Sequence, residues 1–225
     1  MNKGKLIVID GTDGSGKATQ TNILVTRLKK KGYKVALVDF PRYGERSATL
    51  VEDYLNGKFG TAEEVGPYRS SIFFAVDRYV ASLQVRTWLR DGYIVIANRY
   101  VTANMGHQGG KIHDAKKRKK FFRWLDTLEF GLFGIPRPDA TIILHVPAAI
   151  AQTFVDKKGY RQYVSGTKRD LHEADLAHLR AAEKTYLEIA DLLPKTQLIE
   201  CADGDHILKR EEIHRKIWNT VKKLL

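Results

Sequence analysis

The chain has 225 residues, 28% of them charged and 43% hydrophobic, and a net charge of +12. That composition suits one globular domain, residues 1–225, with a substantial core; it excludes a disordered chain, and no apolar run approaches the roughly 18 residues of a membrane span. Cys201 is the single cysteine, so no intrachain disulfide forms and a cytoplasmic location is expected, with the first apolar run read as a strand and not as a leader peptide.

That run is Leu6-Ile7-Val8-Ile9, and Asp10-Gly11-Thr12-Asp13-Gly14-Ser15-Gly16-Lys17-Ala18-Thr19 follows it. An amphipathic stretch then continues to Lys31-Gly32. Strand, glycine loop and helix in this order are what a phosphate-binding P-loop requires, here over residues 10–19. Gly11, Gly14 and Gly16 let the backbone, with Ser15, turn several N–H groups toward one anion, and the helix N-terminus adds unpaired donors. Lys17 reaches the β- and γ-phosphates as a point charge. The next position ordinarily carries a Mg²⁺-ligating hydroxyl; here it is Ala18, and Thr19 stands one place later.

Further strand-like runs are Val35 to Phe40, Tyr93 to Ala97, Ala140 to Val146 and Gln197 to Glu200. Helical periodicity fills 17–31, about 66–90, 115–129, 148–157, 172–192 and 207–224. Alternation of near-continuous apolar strands with helices predicts a doubly wound parallel sheet of about five strands. Ligands on such sheets gather beyond the carboxyl ends of the strands, so the residues just after each strand are the ones to inspect.

After the second strand, Phe40-Pro41 ends the extended run and Arg42 is available to an anion. On the second helical stretch Phe74 and Arg78 are four apart and share a face, a ring beside a guanidinium that suits a planar base. A core phenylalanine and a surface arginine is the plainer account of the same pair. Arg99 lies immediately beyond the third strand, placed to grip a second phosphate, and Asn104 and Gln108 both donate and accept, as base edges require. His107 is expected to line a wall, since phosphoryl transfer asks mainly for positioning and charge neutralisation. Lys29 to Lys31 and Lys116 to Lys120 read as solvated helix faces. The stretch from Asp156 to Glu173 holds five cations and two glycines and reads as a lid, about 156–170, that closes over transferring phosphates.

Taken together, Asp10 to Lys17, Phe40-Pro41, the Phe74/Arg78 helix, Arg99-Tyr100, Pro138-Asp139 and the basic lid resemble, over essentially the whole chain, the thymidylate kinase family of P-loop nucleoside monophosphate kinases. The resemblance implies a P-loop NTPase fold, a five-stranded parallel sheet flanked by helices with a short lid. The implied reaction is transfer of the γ-phosphoryl group of ATP to dTMP, giving dTDP and ADP. Phe74 would stack on thymine and Arg78 would bond its carbonyl edge, with Asn104 and Gln108 nearby and Phe40 and Pro41 completing the substrate side. Arg99 would grip the acceptor phosphate, and Asp13 would meet the deoxyribose 3′-hydroxyl. Lys17 and the lid residues Arg161 and Arg169 would neutralise the moving group, since Gly14 holds the P-loop position where part of the family carries its catalytic cation. Adenine would lie against Ala202-Asp203-Gly204.

Mg²⁺ is implied as well, yet Ala18 lacks the ligating hydroxyl, Asn98 stands where the family has an aspartate, and His145 replaces an acidic residue common in the fourth strand. Thr19 and Asn98, acting through water, are the metal-side residues expected here. The implied partners are small nucleotides and a second copy in a homodimer; with charge scattered and no recognition motif, no nucleic-acid partner is expected, and no membrane partner either. Two other functions fit the residues: a kinase for another nucleotide or a deoxynucleoside, the latter needing Asp10 as base, and a nucleotide-binding homologue with weakened catalysis.

Overall fold

The computed structural model describes residues 4–157 and 176–225. Of the expected lid, everything from residue 158 onward, Arg161 and Arg169 included, lies outside the described residues. The order is β1 (Lys5–Gly11), α1 (Lys17–Lys30), β2 (Val35–Asp39), α2 (Thr49–Leu55), α3 (Ala62–Arg90), β3 (Ile94–Asn98), α4 (Val101–Gly109), α5 (Ala115–Asp126), β4 (Ala140–His145), α6 (Ala148–Lys157), α7 (Leu176–Leu192), β5 (Thr196–Glu200), β6 (Ala202–Asp203), β7 (His206–Ile207) and α8 (Arg210–Val221).

Five strands form a parallel sheet in the order β2-β3-β1-β4-β5, and β6 and β7 make a small antiparallel hairpin. The chain leaves β1 for the sheet edge, fills β3 in between, then crosses to the other side for β4. The carboxyl ends of β1 and β3 therefore border a topological switch point, where ligands of such sheets collect.

Side-chain alternation along the strands divides the core. Ile7, Ile9, Ile94, Ile96, Ile142 and Leu144 pack with Leu24 and Leu28 of α1 and Ile213 and Ile217 of α8. Leu6, Val8, Val38, Val95, Ala97 and Ile143 pack on the opposite face against α3, α4, α5 and α7. Both faces being covered, the strands read as nearly unbroken apolar runs.

Helix ends follow local chemistry. Thr61 and Glu64 form a reciprocal capping box at the start of α3, and Gly66, at φ 73°, bends the helix ahead of Pro67. The Asp114 side chain accepts from the Lys117 N–H at 2.8 Å to begin α5. The expected solvated face there holds for Lys116, Lys117, Lys119 and Lys120, whereas Arg118 turns inward and donates to Glu188 at 2.7 Å. Beyond α5 the chain widens into a π-helical turn, Thr127–Leu132. Helices α2 and α4 are additions to the periodicity reading: α2 is seven residues long, and α4 is rich in glycine and polar side chains.

His145, at the end of β4, joins three elements. Its Nε2 lies 2.9 Å from Glu183 of α7 and its Nδ1 2.6 Å from Glu200 of β5, while the other Glu183 oxygen accepts from the Ala148 N–H at the start of α6 at 3.0 Å. Burial alone would lower the imidazole pKa, but the hydrogen bonds to the two carboxylates outweigh it and raise it above 6.5. A raised folded-state pKa gives stability that is complete below the unfolded value and fades as pH rises through the folded one. Urea melts across that window are expected to show stability falling as the pH is raised above 6.5, and His145→Asn is expected to flatten that slope.

Candidate active site

Loop 11–16 earns its glycines. Gly11, Gly14 and Gly16 all have positive φ, at 137°, 82° and 84°. A Cβ on Gly14 would stand 2.2 Å from the Ala151 carbonyl oxygen, so the loop lies directly against α6 and no side chain fits there. This accounts for the lack of a P-loop cation at position 14. Gly16 has open space around it and ends in α1 with no side-chain cap, which leaves the first N–H groups of the helix for an anion. Lys17 folds back over the loop, its Nζ donating to the Gly11 and Thr12 carbonyls at 3.0 and 2.7 Å.

A cavity of about 630 Å³ opens over this loop, within the range of nucleotide-sized sites. Its lining includes Asp13, Gly14, Gly16, Lys17, Ala18 and Thr19 from the loop and α1, and Asp39, Phe40, Pro41, Tyr43, Asn98 and Arg99 from the ends of β2 and β3 and the turns after them. On the outer side of the loop a second hollow of about 160 Å³ is bounded by Thr19, Gln20, Phe154, Ile207, Leu208 and Arg210. Asp203 lies on the neighbouring β6 and outside both linings; the apolar groups facing this hollow come from Phe154 of α6, from β7 and Leu208 after it, and from the start of α8.

Arg99 follows β3 with φ 67°, a left-handed conformation uncommon for a non-glycine residue. Its N–H donates to the Ile9 carbonyl at 2.9 Å, its Nη2 binds the Asp13 carboxylate, and its Nη1 lies 2.9 Å from Nε2 of His107. Such strained residues persist where their surroundings over-determine them, and they cluster at functional sites. Burial opposes the Arg99 charge, but the Asp13 carboxylate outweighs it and holds the pKa above the ordinary value. Burial, and then the Arg99 charge, push the His107 pKa well down, so its imidazole is neutral. Its Nε2 accepts from Arg99, which leaves the proton on Nδ1, facing Nε2 of His178 at 3.4 Å. His107 thus props the guanidinium, as a wall residue.

Asp10 is fully buried and already holds three donors. It accepts from the Gly11 N–H at 2.9 Å, from Thr102 Oγ1 at 2.5 Å and from the Tyr186 hydroxyl at 2.8 Å. With all three donors on it, it is not placed as a base for a nucleoside hydroxyl.

The residues expected at the base edge form one buried group. Arg78 clasps Glu129 through Nε at 2.5 Å and Nη2 at 2.8 Å, and Nη1 takes no part in that fork. Asn104 Nδ2 donates to the Ser71 carbonyl at 3.0 Å, and Gln108 accepts from Ser70 at 2.9 Å. Burial works against the Arg78 charge, while the Glu129 carboxylate raises its pKa. Phe74 is half-buried and meets the Tyr54 ring edge-on at 6.2 Å. Arg42 is taken up by a brace: its N–H and Nε bond Asp77 at 2.9 and 3.0 Å, and its Nη2 reaches Ser47 at 2.6 Å, which fixes the turn after the cis Phe40–Pro41 bond.

A family model for thymidylate kinase matches residues 9–217. The chain belongs to the thymidylate kinase family. The thymidylate kinase of Mycobacterium tuberculosis (strain ATCC 25618 / H37Rv) is 31% identical over 186 residues, covering 82% of this chain and 85% of its own. A probable thymidylate kinase of Pyrobaculum aerophilum is 32% identical over 210 residues, covering 91% and 96%. The solved structure of the Candida albicans thymidylate kinase superposes with a TM-score of 0.76 at 23% identity, covering 98% of this chain and 92% of that one, and shows the shared fold. A thymidylate kinase is an enzyme that phosphorylates dTMP with ATP, and neither alternative weighed from the sequence is favoured by these likenesses.

Several participants are invisible to motif reading: Glu129, His178, Asp39 and Phe154. Glu129 alone left a signal, a lone carboxylate in the apolar run Leu128 to Phe130. Its π-helical turn is a widening that is frequent at functional sites.

Gly14 and Gly16 share the same backbone requirement and differ only in surroundings. Gly14→Ala is therefore expected to cost about 1–3 kcal/mol more than Gly16→Ala, the added strain of forcing a methyl group into a packed contact, measured by chemical denaturation of the two variants.

Proposed function

We propose that the loop 10–19 holds the ATP phosphates and that Arg99 holds the phosphate of dTMP in the same cavity. The observation that carries this is that Lys17 and Arg99 line one cavity, at the carboxyl ends of β1 and β3. The acceptor is already an anionic phosphate oxygen, so transfer needs alignment and charge neutralisation and no base. Gly14, Ser15, Gly16 and Lys17, with Ala18 and Thr19 in the first turn of α1, bring backbone N–H groups and one ammonium to the donor. Asp13 and His107 aim the guanidinium of Arg99 at the acceptor; Asp13 also faces the sugar. Phe74 and Nη1 of Arg78, with Asn104 and Gln108 fixing the wall behind them, receive thymine, and Phe40 and Pro41 close its phosphate side. The hollow beside β7 suits adenine better than Asp203 itself, because Leu208 and Ile207 supply apolar surface there. Arg161 and Arg169 are assigned to the lid, where they would cover the moving group and exclude water.

Mg²⁺ fits this site as a water-held ion. Among the described residues no three His, Cys, Asp or Glu side chains stand together as a cage, and magnesium habitually keeps several waters. Among the described residues Thr21 Oγ1 and Asn98 Oδ1, buried at the cavity, meet no hydrogen-bond partner, and Thr19 is exposed at its rim. The ion would supply neutralisation of the β- and γ-phosphate charge.

The exposed face of α3 supports a homodimer. Ile72, Tyr79, Val80 and Leu83 recur at helical spacing, and Leu83 is 58% exposed. The chain is assigned to the cytoplasm; among the described residues no helix is long and apolar enough to cross a membrane.

A coupled assay with ATP, dTMP and Mg²⁺ tests the transfer. Turnover is expected with dTMP, and a full panel of deoxynucleotides without product would overturn the reading. Arg99→Lys keeps the charge but loses the two-ended grip, and is expected to lower kcat/KM for dTMP by about 100-fold. Leu83→Glu is expected to convert a dimer to a monomer in light scattering, with dTMP binding by the monomer followed separately.

A further inference from the structure

The P-loop lacks its hydroxyl at Ala18, and the end of β3 offers an amide, Asn98. A carboxylate nevertheless faces the same place from the next strand. Val35 of β2, Ile94 and Ile96 of β3, and Ile7 and Ile9 of β1 share one apolar cluster with Leu24 and Leu28. Odd positions of β2 and even positions of β3 thus face α1, because side chains alternate along a strand. Carried to the strand ends, the same alternation puts Asp39 and Asn98 on the α1 face, and the two are direct partners in the parallel register. Both line the cavity with Ala18, Thr21 and Asn22 of α1.

Asp39 is exposed there and makes no ion pair among the described residues, unlike Asp13, Asp77 and Glu129, each of which holds an arginine. Asn98 Oδ1 and Thr21 Oγ1, on the same wall, are buried polar atoms without partners among the described residues. A carboxylate without a cation on the wall of a triphosphate cavity repels its ligand. A divalent ion between the two turns that repulsion into attraction.

We propose that Asp39 is the metal-side carboxylate of this enzyme, holding the water shell of Mg²⁺·ATP from the end of β2, with Asn98 and Thr21 as neutral partners of the same waters. The assignment rests on reading the cavity as the Mg²⁺·ATP site. It moves the negative charge one strand over, from the end of β3 to the end of β2, and so explains how Ala18 and Asn98 coexist with an intact P-loop.

The test is calorimetric binding of a non-hydrolysable ATP analogue to the full chain, in Mg²⁺ and in EDTA, with Mn²⁺ binding followed by electron paramagnetic resonance. The wild-type chain is expected to bind the analogue more tightly with Mg²⁺. Asp39→Asn should reduce that metal-dependent gain, and Mn²⁺ affinity in the presence of the analogue, by about tenfold, the usual scale for a residue acting through a metal's waters, while binding in EDTA is unchanged or tighter. Adding Asn98→Asp to Asp39→Asn should restore the gain, which a merely structural role for Asp39 would not produce. A wild-type gain that survives in Asp39→Asn overturns the assignment and leaves the ATP site standing. No metal-dependent gain in the wild type overturns the assignment together with the Mg²⁺ reading.

Discussion

Asp10 is the point on which the site depends. A carboxylate with no exposed surface is tolerated only when its oxygens are met by donors, and here the donors come from three places: the backbone of the loop at Gly11, Thr102 on α4 and Tyr186 on α7. The charge therefore ties the last turn of β1 to the two helices behind it and sets the level from which the glycine loop starts. Burial, with the Asp10 charge next, pushes the Tyr186 pKa well above its usual value, so the hydroxyl remains a donor throughout the physiological range. Tyr186 also closes on α4, where a side chain at Gly106 would meet its ring within 2.5 Å. One polar contact and one tight apposition thus hold β1, α4 and α7 in a single relation.

Around that anchor four arginines are each matched by a carboxylate. Asp77 secures Arg42, Glu129 secures Arg78, Glu188 secures Arg118 and Asp13 secures Arg99. Breaking such a buried pair strands a charge, so these contacts act chiefly to fix geometry. Three of the four join α3 or α5 to neighbouring segments and make a rigid wall. The fourth, at Arg99, lies at the cavity, and its guanidinium is held at both ends without being covered.

The sheet was legible because both faces are covered, so that its strands appear as apolar runs with glycine or proline at their ends. The P-loop was legible because backbone geometry demands glycine at fixed spacing. Helix α4 was not, since Asn104, Gly106, His107, Gln108 and Gly109 have neither apolar periodicity nor high helix propensity, and the segment is helical through its packing on α7. The second members of the polar pairs were equally hidden. Glu129 is 51 positions from Arg78 and His178 is 71 from His107, and no local pattern encodes contacts of that separation. Asp39 was visible as a residue but not as a participant, because its significance comes from register with Asn98.

The uncapped start of α1 has a thermodynamic corollary. A helix that begins at a left-handed glycine, with no side chain turned back onto its first amides, leaves several donors to whatever anion arrives. The folded chain is thus built slightly short of its own optimum, and an occupant that binds only the folded form shifts the unfolding equilibrium in proportion to the logarithm of its concentration. Simple oxyanions in solution, sulfate or inorganic phosphate, would compete for the same amides. On the proposed reading of the loop, stability and nucleotide affinity measured in an oxyanion buffer would both include competition for those amides.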